Sequence, residues 1–108
     1  MRQKARQKAS EEMSDQLRNE AILGEEAQQL LDNKVYKQAI AAVEDGLIRA
    51  IKQSALGDES THHRLAISLQ LLGQITKHIE TAVQTGKMAE FQLKKESVGS
   101  RLKRASGF

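Results

Sequence analysis

Residues 65–83 read LAISLQLLGQITKHIETAV, and the fold class follows from the spacing of the apolar side chains in this segment. An apolar residue recurs every three or four positions, which is the spacing of one face of an α-helix. That face consists of Leu65, Leu69, Leu72, Ile75, Ile79 and Val83. Ile67 and Leu71 make it wider than one neighbouring helix can cover. We therefore predict a helix that packs within the chain and whose surplus apolar surface is covered by the N-terminal helix or by another subunit.

The composition of the 108-residue chain favours helices throughout. Proline, tryptophan and cysteine are absent, and no segment alternates apolar with polar residues over the length of a strand. One tyrosine and two phenylalanines leave a thin aliphatic core, and such chains commonly gain stability by assembling. We predict an all-α protein that forms a homo-oligomer. The expected interface consists of Leu65, Ile67, Leu69, Leu71, Leu72, Ile75 and Ile79.

A second apolar stripe precedes this one and predicts an antiparallel helical hairpin. The stripe consists of Tyr36, Ile40, Val43, Leu47 and Ile51. Asn33 is suited to cap the start of its helix, and Gly57 is suited to the left-handed backbone that follows a helix end. Asp58 or Ser60 then caps the next helix. Because the link between the stripes is short, the two helices must run antiparallel.

An additional helix is predicted before the hairpin, with Ser10 as its cap. Its apolar line consists of Met13, Leu17 and Ala21. Gly24 interrupts this line, which predicts either one helix with a weak point or two short helices. Gly46 lies within the second stripe, where it either admits a close partner helix or is simply tolerated. Gly86 and Lys87 are typical of a helix stop, so we expect the long helix to end near Thr85, with the alternative that Met88, Phe91 and Leu93 continue it.

Basic residues are concentrated at both ends of the chain. Residues 1–9 carry four basic residues and residues 97–108 carry three, in both cases without an acidic residue. We predict a basic N-terminal arm (1–9) that frays alone, a helical hairpin domain (10–96) and a flexible basic tail (97–108). The end cations are either solvated or contact an acidic protein surface or DNA, the latter through phosphates and without sequence preference. They are Arg2, Lys4, Arg6, Lys8, Arg101, Lys103 and Arg104.

The sequence lacks the residue patterns of catalytic and metal sites. His62 and His63 are adjacent and diverge on a helix, His78 lies about four turns further along, and no HExxH pattern is present. No nucleophile elbow, Ser–Lys dyad or glycine-rich phosphate loop occurs. No apolar run approaches the roughly 20 residues of a membrane span. We predict a non-enzymatic binding protein with no metal, no cofactor and no membrane span.

Four short segments carry a pattern of helix endings that resembles a known group of proteins. They are residues 26–33 (EAQQLLDN), 57–60 (GDES), 71–75 (LLGQI) and 85–89 (TGKMA). Over residues 22–93 the chain resembles small helical proteins encoded among the head and DNA-packaging genes of tailed bacteriophages. The resemblance implies a virion component or packaging factor that acts in the virion or the host cytoplasm with itself and other phage proteins.

Small terminase subunits are one phage class built on oligomerising helical hairpins with DNA-contacting arms. This chain departs from that class because no recognisable DNA-binding domain precedes the hairpin. The alternative implied by the same phage context is a small binding module that inhibits or adapts a host protein.

Overall fold

Three helices make up the part of the chain that the structure describes. The computed structural model describes the backbone of residues 2–105 and the side chains of residues 4–97. The helices are α1 (Arg2–Asp32), α2 (Lys34–Gln53) and α3 (Glu59–Ala105). No strand occurs between residues 2 and 105, which confirms the prediction of an all-α protein.

The chain divides into two compact units. The terminal unit combines Met1–Ala27 with Thr81–Phe108, and the central unit is the continuous segment Gln28–Glu80. The terminal unit therefore contains most of α1 and the second part of α3. The central unit contains α2, the link that follows it and the first part of α3.

Local hydrogen bonds explain where α2 begins and ends. Asn33 is the single non-helical residue between α1 and α2. Its side-chain oxygen accepts a hydrogen bond of 2.9 Å from the backbone N–H of Tyr36, as the sequence predicts. At the other end, the backbone N–H of Ser54 donates to the carbonyl oxygens of Ala50 and Ile51. The Ser54 hydroxyl also donates to Ile51 at 2.6 Å, which satisfies a carbonyl in the last turn of the helix.

Asp58 caps α3. Its carboxylate accepts hydrogen bonds from the Thr61 hydroxyl at 2.6 Å and from the Thr61 backbone N–H at 3.1 Å. The hydroxyl bond is the largest of the causes that lower the pKa of the Asp58 carboxyl. The prediction of a left-handed backbone at Gly57 is wrong, because its φ lies outside that region. The helix end is instead formed by Ser54, which is extended with φ −75° and ψ 153°.

The predicted start of the first helix at Ser10 is wrong, because α1 begins at Arg2. Alanine, glutamine, lysine and arginine are good helix formers, and no glycine or proline occurs in residues 1–9 to stop the helix. Ser10 is an exposed residue within α1. α1 also continues through Gly24, which confirms the single-helix alternative.

The preferred helix end near Thr85 is wrong, because α3 continues to Ala105, and the alternative in which Met88, Phe91 and Leu93 continue the helix is confirmed. Gly86 is not a helix stop but a packing position, as described below. The residues after it favour the helix, since alanine, methionine, leucine and lysine all have high helix propensity. The helix thus includes residues 97–105 of the predicted flexible tail, whereas residues 106–108 of that tail lie outside the described residues.

Candidate interaction surfaces

In the terminal unit, α1 and α3 meet backbone to backbone at two glycines. A Cβ atom placed on Gly24 would lie 2.7 Å from the Cα of Gly86 and 3.0 Å from the carbonyl oxygen of Ala82. A Cβ atom on Gly86 would lie 2.7 Å from the Cα of Gly24 and 3.0 Å from the carbonyl oxygen of Glu20. The contact is therefore reciprocal, and neither helix has room for a side chain at this point.

The two segments of the terminal unit run antiparallel. Gly24 is near the end of Met1–Ala27, and Gly86 is near the start of Thr81–Phe108. The remaining lengths of both segments can stay together only if they run in opposite directions. The buried apolar residues among those described all belong to this unit. They are Leu17, Ala27, Val83 and Ala89.

The central unit is packed differently, because none of its residues is buried. The apolar residues of α2 are half-buried or exposed, with Val35 at 73% and Val43 at 52% exposure. The hydroxyl oxygen of Tyr36 is enclosed but has no hydrogen-bond partner. Gly46 has no atom of another element within 4 Å of a Cβ position, which favours the interpretation that this glycine is simply tolerated. This unit therefore lacks a closed core.

An open groove of about 450 Å³ lies within the central unit between α2 and α3. α2 contributes Ile40 and Glu44 to its lining. α3 contributes Leu69, Leu72, Gly73, Thr76, Lys77 and Glu80. The Thr76 hydroxyl donates to the Leu72 carbonyl at 3.4 Å, so this polar group is satisfied within its own helix. The lining of the open groove mixes the apolar residues Ile40, Leu69 and Leu72 with the charged residues Glu44, Lys77 and Glu80.

The predicted interface on α3 separates into two sets of residues. Half-buried members face the interior of the central unit. They are Leu65, Leu69, Leu72 and Ile79. Exposed members form a row with four-residue spacing, in which Ile67 is 41%, Leu71 is 55% and Ile75 is 53% exposed. Val83, which the sequence pattern places on the same stripe, is buried in the terminal unit at 5% exposure.

The basic residues predicted to contact an anionic partner are only partly described. Lys4, Arg6 and Lys8 are exposed on α1, where the spacing of four places Lys4 and Lys8 on neighbouring turns. The other predicted cations have side chains outside the described residues. They are Arg2, Arg101, Lys103 and Arg104.

A further surface on α3 is not among the predicted sites, because the preferred prediction ended the helix near Thr85. Met88 and Phe91 are 66% and 68% exposed, and Lys87 and Lys95 border them. We call this surface the basic apolar patch, and it also includes Gln84 and Gln92. The signal for it is the helical spacing of these residues, which becomes visible once the helix continues beyond Gly86.

A surface of opposite charge lies on α1 in the same unit. Glu12, Asp15 and Glu20 line it together with Leu23, which is 57% exposed. We call this surface the acidic patch, and it also includes Gln16 and Asn19. The Gln16 side-chain amide donates to a carboxylate oxygen of Glu20 at 3.3 Å, which holds that side chain along the helix.

The described residues offer no site with evident chemistry. No three histidine, cysteine, aspartate or glutamate side chains of residues 4–97 gather where they could hold a metal ion. His62 lies near Asp58 at the start of α3 and contributes a minor part of the lowering of the Asp58 pKa. Over the helices that are described, none is both long and apolar enough to cross a membrane.

Comparisons with known proteins give no relative. No family model matches the chain, and neither a curated protein nor a solved structure matches it.

Proposed function

We propose that this protein is a non-enzymatic, oligomeric structural component of a bacteriophage particle or of its DNA-packaging machinery. The observation that carries the oligomer is that no residue of the central unit (28–80) is buried, although this segment contains most of the leucine and isoleucine of the chain. The phage context is supported by the resemblance of the four short segments and by the helical fold class.

In this proposal, α2 and the first part of α3 form an antiparallel hairpin within the central unit. Residues 54–58 join the two helices, a link too short for a parallel return. Residues from both helices line the groove that contains Ile40 and Leu72. The hairpin leaves its apolar residues half-exposed, so a partner is needed to complete the burial.

The self-association surface of this hairpin is the row formed by Ile67, Leu71 and Ile75. These side chains lie on one side of α3, and each is at least 41% exposed. Burying a large aliphatic side chain fully contributes about 1.5–3 kcal/mol. Three such residues from each of two copies would supply an apolar centre of the kind that stable interfaces have. A second copy is favoured as the partner because the central unit has no closed core of its own.

Sedimentation velocity with the double variant I67K/L71K tests this surface. We expect the unmodified protein to be oligomeric at micromolar concentration and the variant to have a lower mass. Its helix content should stay nearly unchanged, because both side chains are exposed in the single chain. Leu56→Lys is the matched control, since Leu56 is 98% exposed in the link and away from the row.

A monomeric unmodified protein would contradict the oligomer and would leave the host-binding module as the better interpretation of the phage resemblance. An equal loss of mass in Leu56→Lys would show that added positive charge, and not the row, is responsible.

The basic ends extend the proposal to DNA. Lys4, Arg6 and Lys8 are exposed, and an oligomer would multiply such weak phosphate contacts. We expect unrelated duplexes to be retained equally on filters by the full-length protein, with affinity that falls steeply as salt rises. Absence of retention at about 50 mM salt would exclude the DNA contact and leave the structural role intact.

A further inference from the structure

We infer that the terminal unit carries a second self-association contact, in which the acidic patch of one copy binds the basic apolar patch of another copy. This contact goes beyond the proposed function because it involves different residues in the other unit. It also differs in kind, since the two surfaces that meet are not the same surface.

The basic apolar patch has a charged residue at each end and aromatic and thioether groups between them. Lys87 and Lys95 are eight residues apart, a distance of about 12 Å along the helix axis. Met88 and Phe91 lie between them and are each about two-thirds exposed. Exposed apolar groups bordered by cations suit a partner that has apolar surface and carboxylates with matching spacing.

The acidic patch has that arrangement. Glu12 and Glu20 are also eight residues apart, so their separation along α1 is again about 12 Å. Asp15, which forms an exposed ion pair of 3.5 Å with Arg18, adds a third carboxylate between them, and Leu23 supplies an apolar side chain at one end. The chain thus carries both halves of a complementary pair, which is the argument for a second copy as the partner.

The two patches cannot pair within one copy. Gly86 marks the side of α3 that touches α1, and Lys95 follows it by about 2.5 helical turns. Lys95 is therefore on the opposite side of α3, and the exposed residue Met88 is turned away in the same manner. Because the basic apolar patch faces away from α1 of its own chain, an acidic patch that binds it must come from another molecule.

A contact between two different surfaces is heterologous. When one acidic patch binds one basic apolar patch head to tail, a pair of copies keeps one free patch of each kind, so further copies add until a ring closes. A two-fold arrangement that pairs both patches at once would close at two copies. A head-to-tail contact through the terminal unit would therefore produce assemblies of many copies. A symmetric contact through the central unit would instead stop at two copies.

Charge reversal on each patch tests this contact, in a background that carries I67K/L71K so that the central surface is removed. The variants K87E/K95E and E12K/E20K should each lose self-association in sedimentation velocity at low salt, by about tenfold or more in affinity. Mixing the two variants should restore assembly, because each then offers the surface that the other requires. K34E/K37E is the control for K87E/K95E, because it makes the same change in net charge at two lysines that are exposed outside both patches.

Three outcomes would overturn the inference. The first is an unchanged mass for either patch variant, and the second is a failure of the mixture to assemble while both variants keep their helix content. The third is loss of binding to anionic phospholipid vesicles by K87E/K95E with self-association unchanged, which would assign the patch to a membrane surface. A loss of mass in K34E/K37E would show that net charge alone controls association.

Discussion

The terminal and central units of this protein bring their helices together in different ways. In the terminal unit, Gly24 and Gly86 allow backbone contact, and the four buried apolar side chains lie around that contact. In the central unit, the helices carry more leucine and isoleucine but bury none of them and leave an open groove between them. Small residues, and not large apolar ones, produce the better-closed part of the molecule.

The physical reason lies in the dependence of packing on distance. Dispersion attraction is weak for each pair of atoms and falls steeply with their distance. Two helices whose backbones touch therefore make many more favourable contacts than two helices that are held apart. Large side chains along the contact line between two helices hold the backbones apart, and they pack densely only when side chains of further helices fill the remaining space. The central unit supplies the side chains but only one neighbouring helix, so its burial is incomplete without a partner.

The largest expected effect comes from placing a charge in each unit. Val83 is 5% exposed, so Val83→Asp would bury an unpaired carboxylate and should lower the free energy of unfolding by on the order of 4 kcal/mol. Leu72 is half-buried, and a carboxylate there can reach water, so Leu72→Asp should cost about 2 kcal/mol. Urea unfolding at a concentration where the protein is monomeric measures both. Equal losses would contradict the difference between the units.

Smaller changes in the free energy of unfolding are expected when glycines are replaced by alanine, and their sign depends on the position. Gly24→Ala and Gly86→Ala should each destabilise by about 1–2 kcal/mol, because the new methyl group meets backbone and the helices must separate. Gly46→Ala should stabilise by about 0.5–1 kcal/mol, since no neighbouring element is within 4 Å and alanine favours the helix. Thermal unfolding followed by circular dichroism reports both signs. Stabilisation by alanine at Gly24 would show that the close contact does not exist.

The smallest expected effect concerns the cap of α3 in the central unit. The pKa of Asp58 is lowered by its bonds to Thr61, so its contribution to stability is present above the ordinary aspartate pKa of about 3.9 and is lost as pH falls through the folded value. Asp58→Asn keeps a side-chain acceptor but does not titrate. Its stability should therefore fall less steeply than that of the unmodified protein between about pH 5 and pH 2. Identical pH profiles for the two proteins would exclude this contribution.

The features that the sequence predicts correctly are local ones. Asn33 and Asp58 cap helices because each bonds a residue three positions further along, and such a relation is visible in a short window. The widened face on α3 was also predictable, since helical geometry alone makes Ile67 and Leu71 the outer members of the stripe. Their exposure in the single chain is consistent with that prediction, and their role in an interface stays a prediction.

The features that the sequence misses depend on contacts between distant residues. Gly86 has the local pattern of a helix stop, and only its contact with Gly24 explains why the helix continues through it. That error also concealed the basic apolar patch, because Met88 and Phe91 have no common face unless they belong to the same helix. One usable signal was present: each of the two glycines is followed three residues later by alanine, so each helix carries two small residues on one face.

The reciprocal contact between the two glycines has a consequence for how this sequence can change over generations. A first replacement at either position forces the helices apart, and the separation removes the reason for glycine at the other position. The cost of replacing both is therefore well below the sum of the single costs, and a double-mutant cycle should show this coupling. Selection therefore acts on Gly24 and Gly86 together, although the two residues are 62 positions apart in the sequence. Lineages that descend from this gene should keep both glycines or lose both, with the half-changed state as the barrier between them.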